Sequence, residues 1–433
     1  MLRRYKLIDF FLLIAFKILL EISYITFVYP LFRYMGFTLN PDIVKFIESY
    51  LTVTFFFLLI DSKYDLRPSD IFFKVLFLLM IVPMSSFYAL ADMDRGYYYV
   101  FMLSFLVTFI IRRLIPSFKI NKIDGSNKAL ILLMVIILLS VPSFLIALNG
   151  MPSLTAFDLR RVYEIRGETL YGPESINYLV RWVTNVLNCF LIGLAVYERK
   201  YWLLIPAVFL QMVIYAITGH KSMFFAPFAV LFLLIIVKRW RLMRVATLSL
   251  LVLFMLCYIL YVMGVSSLPA SLLIRRVFYN PPQISYMYYD YFSRNPHTYL
   301  SQSKAGLGLA ENPYETSNLP ITKMMGSIYA GNENTNVNTG YLGDAFMNFG
   351  FGGMMVFSYI LGLIMVMIDS LSRRTNIYIA VACSVIPMQK LINGSLFTTL
   401  LSNGLLFSML VIWLYNKREK AQPAGGKGYS RIK

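Results

Sequence analysis

Charge is what this sequence has least of. Only 14% of its 433 residues are Asp, Glu, Lys or Arg, against 58% hydrophobic. A water-soluble fold of this length needs far more polar surface than that, so a soluble reading is excluded. Acidic residues are scarcer still, 22 against 40 Lys and Arg. The resulting net charge of +18 would suit nucleic acid on a soluble domain, but here the basic residues sit in short runs between apolar stretches. Three cysteines, Cys189, Cys257 and Cys383, lie far apart inside apolar runs, and no disulfide framework or metal-ligand spacing follows from them. Two histidines, His220 and His297, are too few and too late for a membrane acyltransferase with an early catalytic histidine. There is no Gly-x-x-x-x-Gly-Lys-Ser/Thr loop and no Gly-rich strand–helix turn, so neither a nucleotide nor another cofactor is expected.

What the chain has is apolar length: 35 Phe, 31 Tyr and 23 Met, with a mean hydropathy of +0.65. About 20 apolar residues in a helix cross the hydrocarbon layer. Runs near that length fall at 8–30, 43–60, 71–91, 97–115, 128–148, 176–197, 201–218, 222–237, 245–263, 341–368, 376–392 and 396–415. An all-α polytopic membrane protein of about 12 transmembrane helices is expected, with 201–218 and 222–237 short enough to form a re-entrant pair instead. The first run follows a basic start but lacks a small-residue cleavage site, which reads as an uncleaved first span. Alternate connections are basic: Arg3, Arg4 and Lys6; Lys63 and Arg67; Arg112 through Lys128; Arg199 and Lys200; Lys238 through Arg244; Arg373 and Arg374; and Lys417 through Lys420. The positive-inside rule then puts both termini in the cytoplasm. The expected organisation is helices 1–5 over 1–148, an Arg-rich periplasmic loop over 149–176 and helices 6–9 over 177–263. A large periplasmic loop over 264–340, helices 10–12 over 341–415 and a flexible polar tail over 416–433 complete it.

The two outer segments carry arginine against the topology bias. In the first, Arg160, Arg161 and Arg166 precede Arg181 of the next helix. Forked guanidinium donors suit a pyrophosphate; the competing account pairs Arg160 with Glu164 one helical turn on. Thr218-Gly-His-Lys-Ser222 puts Lys221 near a helix start, where it meets either a phosphate or the lipid headgroups. In the second, Arg275 and Arg276 precede Pro281-Pro282 and the run Tyr286 to Tyr291, with His297 beyond. That mixture fits a carbohydrate site, with Tyr288 and Tyr289 stacking on sugar rings, and equally an interfacial amphipathic helix.

Acidic candidates are fewer. Asp92 and Asp94 share a short outer loop, either as metal-holding carboxylates or as solvated ones. Lys17 and Glu21 share one face of the first helix at i, i+4, and pairing is the economical reading for charges inside a membrane. Asp344, Glu48, Lys45, Lys74 and Lys390 lie in or near spans and are default candidates for a polar cavity.

In these stretches the sequence resembles the bacterial oligosaccharide repeat-unit polymerases of the O-antigen (Wzy) type. The resemblance rests on Thr218-Gly-His-Lys-Ser222, on Arg275-Arg276-Val-Phe-Tyr-Asn-Pro-Pro with its tyrosine run, and on Asn338-Thr-Gly-Tyr-Leu-Gly-Asp-Ala-Phe-Met-Asn-Phe-Gly-Phe-Gly-Gly. Arg161, ten residues and Gly172 also match an Arg-x10-Gly loop motif; the second-loop counterpart is off by one, eleven residues separating Arg294 from Gly306.

The resemblance implies a GT-C-like polymerase or ligase architecture in the inner membrane. It implies glycosyl transfer between two undecaprenyl-pyrophosphate-linked oligosaccharides at the periplasmic face, without a metal, alongside a flippase and a chain-length regulator. Arg161 and Arg276, with Arg160, Arg166, Lys221 and Arg275, would meet the pyrophosphate; His297, or a loop Asp or Glu, would take the acceptor proton. An O-antigen ligase shares this logic. A lipid-linked oligosaccharide flippase, a transporter, should instead show two similar halves and short loops throughout.

Overall fold

The computed structural model describes residues 2–61, 67–121, 126–152, 173–237, 241–315, 319–373 and 375–415. Arg160, Arg161, Arg166, Gly172 and the polar tail fall outside them. The described residues are helical, without strands. Among the described residues, ten helices are long and apolar enough to cross a membrane: α1 (Lys6–Met35), α2 (Ile43–Ile60), α3 (Pro68–Leu90), α4 (Arg95–Leu114), α5 (Ser126–Asn149), α6 (Ser175–Glu198), α7 (Tyr201–Thr218), α9 (Leu242–Val262), α12 (Tyr341–Ser372) and α14 (Leu396–Leu414). The expected runs 222–237 and 376–392 form shorter apolar helices, α8 (Lys221–Ile236) and α13 (Ile377–Lys390). The chain is a multi-pass membrane protein. Outside this set the described residues include the helices α10 (residues 268–292) and α11 (Ile321–Ala330).

Proline shapes the helix interiors. Tyr29, Val82 and Asn280 each precede a proline, and each donates its N–H to the carbonyl five residues back, on Tyr24, Phe77 and Arg275. Pro30, Pro83 and Pro281 have no N–H to give, and the chain absorbs the mismatch as a local π-turn rather than breaking.

Ion pairs and hydrogen bonds define two ends. At the basic end, Arg241 pairs with Asp9 and Asp61 at 2.6 and 2.7 Å, and Arg244 with Asp9 at 2.6 Å. Arg112 pairs with Asp70 and Asp369, and Arg373 donates to the Ser117 carbonyl. These contacts tie the ends of α1, α2, α3, α4, α9 and α12 together. Midway, the Lys17–Glu21 pair of α1 is buried and closed by Tyr50, which donates to Glu21 at 2.7 Å, and by Ser86.

The far end is the opposite one. The described residues of the stretch 264–340 lie here, and α10 packs into the bundle rather than over it. Its buried residues Ile274, Phe278, Pro281, Ser285, Tyr288 and Phe292 recur every three or four positions, one face of a helix. Phe278 meets Phe16 and Phe254, both well inside α1 and α9, and Tyr279 donates to the Leu20 carbonyl at 2.8 Å. Buried tyrosine hydroxyls need such acceptors.

Candidate functional site

Helix α12 builds the centre of the far end. It is two helices joined at a break, with Phe349 at φ −144° and Gly350 at φ +61°, ψ −150°, a region open in practice only to glycine. The segment between Tyr341 and this break is held at both ends. At its start, the Tyr341 N–H donates to the Leu391 carbonyl at 2.9 Å, beside Lys390 at the end of α13. At its finish, Asn348 accepts from the Thr298 hydroxyl and the Leu300 N–H, both at 2.7 Å. His297 lies against the break, its Nδ1 3.3 Å from the Met347 carbonyl. Nδ1 donates there, because a carbonyl only accepts, and Nε2 is left as the acceptor nitrogen. Met347 lies six positions after Tyr341, about 9 Å along a helix.

Cations gather at the Tyr341 end. Lys390 is partly buried and lies within electrostatic reach of Arg181 on α6. Among the described residues neither has an ion-pair partner. Their frames converge: Trp182, next to Arg181, donates to the Leu401 carbonyl at 3.0 Å, and Asn185 to the Asn403 carbonyl at 3.3 Å. Lys304 sits over the Tyr178 ring, 5.5 Å from its centre and one turn from Arg181. Asp344, one turn into α12, is buried, and its Oδ2 has no hydrogen-bond partner. It stands near Tyr288, whose phenol is pushed up by burial and, secondly, by the Asp344 charge.

The expected site residues take different places. Arg276 is exposed at the far end, and Lys221 opens α8 there, half-buried. Arg275 is buried and engaged by the protein. Its guanidinium lies 4.3 Å above the Phe32 ring and donates to the Ser271 hydroxyl at 3.1 and 3.2 Å, so it secures α10 against α1. Tyr288 is 1% exposed and donates to the Val337 carbonyl at 2.8 Å, leaving no ring face for a sugar. Tyr289 is half-buried and stacked on Tyr97, with centroids 4.6 Å apart. Asp92 pairs with Lys45 at 2.6 Å, while Asp94 caps α4 through the Tyr97 N–H at 2.7 Å, so both carboxylates have structural partners.

The residues brought together are thus Arg181 and Lys390, with Asp344 one turn into α12 and His297 at the other end of the same segment. In sequence, Lys390 and Asp344 stand out only as charged residues beside spans. No protein-family model, curated protein or solved structure matches this chain.

Proposed function

We propose that the chain is a metal-independent membrane glycosyltransferase that polymerises undecaprenyl-pyrophosphate-linked oligosaccharide repeat units into an O-antigen or related surface polysaccharide. The observation that carries this reading is the Arg181–Lys390 pair: two cations within electrostatic reach of each other and, among the described residues, without an ion-pair partner, at the end opposite the basic loops. Holding an exposed arginine and a partly buried lysine close together is unfavourable unless an anion joins them. A pyrophosphate on a lipid carrier supplies one at that depth.

In this reading α8 and α13 are short crossings, giving twelve spans. The basic end and both termini face the cytoplasm of a bacterial inner membrane, and the far end faces the periplasm. The growing chain's anomeric carbon–oxygen bond breaks, and negative charge builds on the departing undecaprenyl pyrophosphate. Arg181 and Lys390 stabilise that charge, with Arg276 and Lys221 as further cations at the same face. A hydroxyl of the incoming lipid-linked unit attacks the anomeric carbon and gives up its proton. Asp344, whose Oδ2 has no hydrogen-bond partner, accepts it; His297, with Nε2 open, orients the acceptor sugar or shares the proton transfer. The closed Lys17–Glu21 network has no unsatisfied group to offer a moving headgroup, which weighs against a flippase.

Lipopolysaccharide or capsule from a deletion host tests the reading on a gel. Complementation should convert single repeats into a ladder. Long chains left on the lipid carrier in the deletion host would instead indicate a ligase, and lipid-linked units held in the cytoplasmic leaflet a flippase.

A further inference from the structure

Beside the break in α12 stands a corner of aromatic rings that charge stabilisation at the pyrophosphate does not require. Residues 297–300 are laid against the break by four hydrogen bonds besides that of His297. The Thr298 and Tyr299 N–H groups donate to the Met347 and Asn348 carbonyls at 3.1 and 3.3 Å. The Thr298 hydroxyl and the Leu300 N–H both donate to the Asn348 side chain at 2.7 Å. So held, Tyr299 and Leu300 stand at φ +48° and +63°, left-handed positions that residues with a β-carbon seldom take. Strain of this kind persists only where the surroundings impose it, and it concentrates at ligand sites.

The backbone path places three rings. Tyr299 meets Phe349 with centroids 5.8 Å apart and planes at 64°, and meets His297 at 6.3 Å and 85°. Rings meeting edge to face leave an angle between their planes rather than a flat patch. Tyr299 is 53% exposed and Phe349 40%. His297 Nδ1 is taken by the Met347 carbonyl, whereas Nε2 has no hydrogen-bond partner among the described residues and reaches the surface. Gly350 keeps that nitrogen clear of a side chain, since a β-carbon there would stand 3.2 Å from it. The corner thus offers two exposed aromatic rings and one neutral hydrogen-bond acceptor. Aromatic residues that only anchor a helix at the membrane surface need neither the left-handed backbone nor the open imidazole.

We propose that this corner is a sugar-binding subsite that takes one pyranose unit of the incoming oligosaccharide. Its place in the reaction rests on the glycosyltransferase reading. Tyr299 and Phe349 then do what Tyr288 and Tyr289, engaged by Val337 and Tyr97, do not. The C–H face of the pyranose lies on an aromatic ring, whose negative face attracts polarised C–H groups, and a hydroxyl donates to His297 Nε2. An acyl or prenyl chain would fill the same corner but has no hydroxyl for the imidazole and no use for flat partners.

Saturation-transfer NMR on the full-length protein in nanodiscs tests this without turnover. The probes are the methyl glycosides of glucose, galactose, mannose, rhamnose and N-acetylglucosamine, with glycerol as the hydroxyl-bearing control. At least one glycoside should receive saturation, concentrated on the hydrogens of one face of its ring, and glycerol none. Tyr299→Leu and Phe349→Leu keep apolar bulk and lose the flat ring. Each should weaken that glycoside about three- to ten-fold at unchanged melting temperature, and Phe349→Trp should retain it. His297→Ala should weaken it by about the same factor. Absence of saturation in every glycoside would overturn the proposal. So would wild-type binding in both leucine variants, or saturation spread evenly over the probe. Protein that binds a glycoside and forms no ladder would keep the subsite and lose the polymerase. A wild-type ladder from the Tyr299→Leu, Phe349→Leu double variant would do the reverse.

Discussion

Gly340 and Ile392 touch backbone to backbone: a β-carbon on residue 340 would stand 2.5 Å from the Ile392 carbonyl oxygen. This contact and the adjoining Tyr341–Leu391 hydrogen bond fix the start of α12 beside Lys390. Gly340→Ala should force the two apart. Overpacking of this kind costs about 1–3 kcal/mol, and we expect a lower unfolding temperature in detergent together with lost polymer. A wild-type melting curve and ladder would show that the contact does not hold the site.

Gly350 is required for another reason. Its backbone angles exclude other residues, and an added β-carbon would come 3.2 Å from His297 Nε2. Gly350→Ala should cost about 1–3 kcal/mol and impair polymerisation beyond the effect of His297→Ala, since it also disturbs the Asp344 segment. Activity equal to His297→Ala would confine the effect to the histidine.

Arg275 and Arg276 should separate cleanly. Arg275→Ala removes a cation over Phe32 and two hydrogen bonds to Ser271, a loss of about 1–3 kcal/mol visible as reduced protein level and melting temperature. Arg276→Ala should leave both unchanged and shorten the chains. The reverse pattern would return Arg275 to the substrate.

At the basic end, Arg112→Ala leaves Asp369 buried beside Ser69 without its cation. Breaking a buried pair from one side costs about 3–5 kcal/mol, so the variant should accumulate poorly. Lipid added back should not restore it, because the lost partner is internal.

Much of the bundle was legible because spanning a membrane imposes a length and a composition that a sequence displays directly. The ten long helices fall on ten of the expected runs, and the i, i+4 spacing of Lys17 and Glu21 does correspond to a pair. The burial of α10 was harder to read. Its buried face from Ile274 to Phe292 has helical spacing, but Pro281-Pro282 and Ser285 occupy that face and look like a turn in a polar loop. Arg275 and Tyr288 fall on the buried face and Arg276 on the exposed one, a distinction that residue type alone does not make. The meeting of Arg181 with Lys390 across some two hundred residues depends on how α6, α13 and α14 pack, and nothing local in sequence announces it.

The central claim is that Arg181 and Lys390 hold the pyrophosphate of the donor. Purified protein given an undecaprenyl-pyrophosphate-linked repeat unit should release undecaprenyl pyrophosphate and form a ladder of products. Arg181→Gln or Lys390→Gln should slow release by about 100-fold, at unchanged melting temperature, with Lys390→Arg retaining part of the rate. Wild-type rates of release in both glutamine variants would contradict the account.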